Sequence, residues 1–129
     1  MIEKQQIFPI LLQACPSYIN RYETYIEQNY ENEEERLLYV DIGDFTAYMI
    51  ECYAKQKTDK FDEAFDAIEQ MLVHGDSYVQ DFAVVGVLET LQNQLLDKGI
   101  ELRAFEVWLQ PESKRAWNQL IDFWNGKIQ

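Results

Sequence analysis

Glycine and proline are scarce in this chain, with five and three among 129 residues. So few turn formers argue against a β-sandwich or barrel, whose many tight turns draw on both. Cysteine is rarer still: Cys15 and Cys52 stand far apart, in no C-x-x-C pair. That argues against a disulfide framework and a cysteine zinc site, and leaves two reduced thiols, as expected of a cytoplasmic protein. The one histidine, His74, has Met71 three residues before it, so the Glu-x-x-His pairs of a di-iron bundle are missing. Basic residues are also few, 11 Lys and Arg against 23 Asp and Glu, for a net charge of -12. Nucleic acid and anionic membrane surfaces both need Lys and Arg, so neither is expected as a partner. No apolar run approaches the roughly 18 residues of a membrane span. The stretch "MIEKQQIFPILLQACP" has neither the basic start nor the apolar middle of a secretion signal.

What the chain does have is apolar content of 47% with 14% aromatics, enough to fill a core. A chain of this length is one domain, 1–129, and buries roughly two-thirds of its unfolded surface. Apolar residues recur at helical spacing nearly throughout. The spacing predicts helices over about 2–13, 18–30, 34–55, 60–73, 77–97, 101–109 and 111–125. Ser17, Asp59 and Asp76 are placed as N-caps, Pro111 as a first helical residue, and Gly75 as a helix-ending glycine. The expected fold is all-α, a compact bundle of about seven helices with a central helical hairpin. Asp76, Val79 and Ala83 follow the pattern that opens the second helix of a HEAT-type repeat. No second copy follows at that period, so the expectation is HEAT-like rather than a repeat array.

The stretch "VVGVLETLQN", 84–93, poses the main question. On a helical wheel the 77–97 segment is apolar in almost every direction, which marks a central helix. Yet Phe82, Gly86, Glu89 and Asn93 share one stripe. A mid-helix glycine costs about 1 kcal/mol relative to alanine. Gly43 and Gly86 are therefore read as a seam where the third and fifth helices cross closely. Glu89 and Asn93 stand at its mouth, with Tyr39, Tyr48 or backbone donors as the expected partners of Glu89. The seam is either structural or a groove for a partner.

No constellation points to catalysis. His74 sits at a helix end, where a positive charge suits the dipole. Ser17, Ser77 and Ser113 all fall at or near helix starts. Asp41 and Asp44 share a face, one turn apart, but lack a third ligand or a histidine. No phosphate loop or calcium loop is present. No enzyme activity, cofactor or metal is expected, and an acidic-site hydrolase ranks last among the functions considered.

"LLYVDIGDF", 37–45, and "GDSYVQDFAVVGVLETLQN", 75–93, resemble a family of small, uncharacterised bacterial helical proteins. The residues carrying the resemblance are Leu37, Leu38, Tyr39, Asp41, Gly43, Asp44 and Phe45, then Gly75, Asp76, Val79, Val85, Gly86, Leu88, Glu89, Leu91, Gln92 and Asn93. Some members are similar to immunity proteins encoded beside secreted toxins. The resemblance implies a helical binding protein, and charge suggests how it would work. A toxin that cuts nucleic acid presents a basic cleft, which an acidic helical surface can cover by mimicking phosphates. The candidate contacts are Glu31, Glu33, Glu34 and Glu35, then Asp41, Asp44, Tyr48 and Glu51 along the next helix, with Tyr22 and Tyr25 as aromatic anchors. The partner expected is a basic protein, a toxin domain. The rival is a protein-interaction adaptor that binds through a helical groove. Oligomeric state is left open.

Overall fold

The computed structural model describes residues 1–126. Its seven α-helices are Ile7–Ala14 (α1), Ile19–Asn29 (α2), Leu38–Ala54 (α3), Phe61–His74 (α4), Ser77–Asp81 (α5), Thr90–Asp97 (α6) and Pro111–Trp124 (α7). Among the described residues there is no strand, only a single parallel β-bridge between Ile2 and Gly75. The all-helical bundle expected from the sequence is the fold.

The expected 77–97 helix is a single rod. α5 runs into a π-helical segment, Phe82–Glu89, which runs into α6, with right-handed helical backbone at both junctions. Val79, Phe82, Ala83, Val87, Leu88, Leu91 and Leu95 are fully buried along it. The rod packs against α3, α4 and α7, so it is the centre of the bundle, and α4 and the rod form the central hairpin. α7 is tied to α4 by a buried side chain that sequence periodicity does not reveal. Glu69 accepts the backbone N–H groups of Glu112 and Ser113 at 2.9 and 2.8 Å. A carboxylate thus satisfies two of the orphan donors at the start of α7 and complements its dipole. The expected sixth helix is instead a 3-10 segment, Leu102–Trp108, which inserts Phe105 against Tyr53, Phe61 and Phe65.

Several helix ends differ from expectation. Ile2 exchanges backbone bonds with His74 and Asp76, so the first helix cannot begin there and starts at Ile7. Pro9 falls in its first turn, where a missing N–H costs nothing. The third helix begins at Leu38 rather than 34, because 30–37 crosses as a loop with Glu33 in the left-handed region (φ 64°). Ser17 lies in a 3-10 turn and accepts the Tyr48 hydroxyl instead of capping α2. Asp59 does not cap α4, which starts after Lys60. Gly75 is extended, not left-handed; it is required because a Cβ there would run into the Met71 carbonyl and Val79. Asp76 does cap, accepting Val79 N–H at 2.9 Å, and Pro111 is the first residue of α7.

The π-segment answers the question raised by Gly86, and corrects the expected glycine seam. A Cβ on Gly86 would lie 2.9 Å from the Phe82 ring of the same helix. Gly86 is therefore kept for its own helix's buried aromatic, not for α3. Gly43 does face the rod, but against Gln94, whose Nε2 donates to the Gly43 carbonyl at 3.1 Å. The i→i+5 winding of the π-segment also breaks the expected stripe. Phe82 and Gly86 are buried, Glu89 is half-buried and Asn93 exposed. In Gly86→Ala the gain in helix propensity of about 1 kcal/mol is outweighed by displacement of a buried ring, typically 1–3 kcal/mol. The urea midpoint should fall; a higher midpoint would contradict this packing.

Candidate functional site

The second helix has no fully buried residue of its own. It is fastened to α3 by side-chain hydrogen bonds that run the length of the pair. Tyr18, just before α2, donates to Asp44 Oδ2 at 2.6 Å. Arg21 bridges Asp44 and Glu51, each at 3.0 Å. Tyr25 and Tyr30 both donate to Asp41 Oδ1, at 2.9 and 2.6 Å. Tyr30 also accepts the Leu37 N–H at 2.8 Å, which pins the far end of the 30–37 loop.

This seam relocates half of the expected contacts. Asp41 is 2% exposed, beneath two tyrosines. Asp44 is paired with Arg21, and Tyr48 is engaged with Ser17. Asp41, Asp44 and Tyr48 thus belong to an internal joint rather than to a solvent-facing acidic stripe. Glu51 is half-exposed but shares Arg21. Tyr25 is turned inward to Asp41 and is no surface anchor. Tyr39 and Tyr48 are both committed, to Asp81 and Ser17, so neither is the partner expected for Glu89.

Beside the joint, and sharing Tyr30 with it, α2 and the 30–37 loop carry a groove. An open cavity of about 850 Å³ is lined by Tyr22, Glu23, Ile26, Glu27, Tyr30, Glu31, Asn32, Glu33 and Arg36. Of the residues expected from sequence, it brings together Tyr22, Glu31 and Glu33. Glu34 is not in the wall; its carboxylate accepts the Glu31 N–H and holds the turn. Glu35 lines a neighbouring cavity of about 330 Å³ that shares Tyr22 and Arg36 with the first. Tyr22 is stacked on Phe8 with centroids 5.2 Å apart, which fixes its ring. Sequence reasoning missed Glu23, Glu27, Tyr30 and Arg36. Glu23 and Glu27 share one helical face at a spacing of four, but the sequence alone does not say which way that face turns.

A separate cavity of about 380 Å³, with no α2 residue in its lining, is bordered by Asn93 with Leu96 and Trp124. Gly43, Gly86 and Glu89 are not in its wall. Among the described residues no His, Cys, Asp or Glu cluster is arranged to hold a metal. Nor is any helix there long and apolar enough to cross a membrane.

A family model for a domain of unknown function, DUF7674, matches residues 8–125. The chain belongs to the DUF7674 family. No curated protein and no solved structure matches it. The DUF7674 match runs from the second residue of α1 to just past the end of α7, hence over both the α2–α3 joint and the groove, and over N-terminal and C-terminal helices outside the two motifs.

The joint has a pH signature. Burial first, then donation to Asp44 or Asp41, pushes the Tyr18 and Tyr25 phenols well above their ordinary value of 10.0. Burial and Asp81 do the same to Tyr39. A raised tyrosine pKa means that the folded protein holds its proton longer than the unfolded chain. The resulting stability is fully present below the unfolded value and is lost as pH rises through the folded one. For the DUF7674 chain we expect the contribution of these tyrosines to hold up to about pH 10 and to fall above it. The Tyr18 and Tyr25 phenols should ionise only as the protein unfolds. Urea midpoints and phenolate absorbance against pH measure both. All eight tyrosines ionising at the ordinary value in a folded chain would contradict the joint.

Proposed function

We propose that this DUF7674 chain is a cytoplasmic immunity protein that neutralises a cognate bacterial toxin by laying the α2 groove over the toxin's basic cleft. The observation that carries this reading is the segregation of charge. Asp41, Asp44 and Glu51 are consumed by the joint, while Glu23, Glu27, Glu31 and Glu33 collect around one open cavity. Among the described residues none of those four makes an ion pair. A basic cleft built for phosphates meets there a set of carboxylates on a helix and a pinned loop, with Tyr22 and Ile26 as apolar floor. Charge of this kind steers encounter, and desolvated pairs then slow release.

A protein-interaction adaptor without a toxin is the second reading. It is favoured by the groove beside Asn93, where Leu96 and Trp124 are each 60% exposed. The test is binding to the product of the gene beside this one. A toxin reading frame there, bound with an on-rate that falls steeply with salt, supports the immunity reading. Screening shortens the Debye length from about 30 Å at 0.01 M to about 10 Å at 0.1 M. Glu23, Glu27, Glu31 and Glu33 changed together to Gln should slow association about tenfold or more and abolish protection of toxin-expressing cells. Fold stability should barely move, because exposed charges contribute little to it. Association indifferent to both salt and these substitutions, or no toxin frame beside the gene, puts the adaptor ahead.

A further inference from the structure

Arg36 is preceded by Glu33, Glu34 and Glu35, yet among the described residues its guanidinium pairs with no carboxylate. It lies instead over the Tyr30 ring, 4.7 Å from the centroid. Its one hydrogen bond to the backbone is a long one, 3.3 Å to the Glu34 carbonyl. It also stands beside Tyr22, whose phenol is pushed up by burial and pulled back by Arg36. Arg36, like Tyr22, lines both cavities. The groove shows, with the chain's own side chain, which cation suits its aromatic wall. A guanidinium is planar, weakly hydrated and stacks on a tyrosine face, whereas an ammonium is a strongly hydrated point charge. Four carboxylates around that wall are left for a second cation.

We infer that the α2 groove reads an arginine side chain of its protein partner, which takes the Tyr30 face, and that Arg36 is a built-in competitor for that place. The inference rests on the acidic-groove reading above and adds the chemistry of the occupant. A partner lysine would use the carboxylates but gain less from the ring. Displacement of Arg36 would free it to turn toward Glu35 across the neighbouring cavity.

The test titrates the full chain with blocked hexa-arginine and hexa-lysine peptides, following heat of binding and the Tyr22 and Tyr30 ring resonances. The arginine peptide should bind about fivefold or more tightly than the lysine peptide, and should shift the Tyr30 ring. Arg36→Ala should widen that ratio, and Glu27→Gln with Glu33→Gln should weaken both peptides. If Arg36→Ala loosens the fold in a thermal melt, the ratio in the unaltered chain and the Tyr30 shift decide alone. Equal affinities, with both peptides weakened by the groove substitutions, would overturn the arginine assignment and leave the acidic groove standing. Peptide binding insensitive to the groove substitutions would overturn both.

Discussion

The joint between α2 and α3 is the constraint on which the rest of the surface depends. A helix usually docks through an apolar stripe, but α2 buries none of its residues fully. It is held by tyrosine hydroxyls and one arginine bonded to carboxylates on α3. Bonds to charged groups contribute on the order of 1.5–3 kcal/mol each, and stranding one partner costs more. A joint of this kind fixes register: Tyr18 and Arg21 must meet Asp44, and Tyr25 must meet Asp41. It also decides which acids stay outside. Had α2 rotated by half a turn, Glu23 and Glu27 would face Asp41 and Asp44 while Arg21 turned away from the seam, and like charges would drive the helices apart.

The central rod supplies the rigid support behind that joint. Tyr39, at the start of α3, packs edge-on against Phe82 and Tyr78 and donates to Asp81. Gln94 reaches the Gly43 carbonyl one turn further along α3. Between these two ties lies the π-segment, whose looser winding lets the rod remain buried on most sides while its Val85 and Glu89 edge reaches solvent. The Phe82 ring over Gly86 fills the space that a side chain would otherwise take. Position of α3, and hence of every carboxylate in the joint, is set by this packing.

The helices were legible in the sequence because apolar spacing is a local signal. The 77–97 rod, the Asp76 cap and Pro111 at the head of α7 all follow from residues within a turn or two of one another. What was hidden depends on residues far apart in the chain. Asp41 looked like a surface acid because nothing near it in sequence marks Tyr25 and Tyr30 as its donors. Glu69 gave no sign that it would cap α7, more than forty residues on. Gly86 is a close contact, but with the Phe82 ring four residues away in its own helix and not with α3 as its spacing from Gly43 suggests. For the groove, Tyr22, Glu31 and Glu33 were in reach of charge and composition. Glu23 and Glu27 needed the orientation of α2, which the joint alone provides.

Amide hydrogen exchange in a chain carrying Asp41→Ala and Asp44→Ala tests most directly whether α2 is held by polar bonds to α3. If it is, protection should collapse across 19–29 and the 30–37 loop, while α4 and the buried part of the central rod keep theirs, since their core contacts are apolar. Unchanged protection in α2, or a uniform loss over the whole bundle, would contradict the joint as the element that orients this helix.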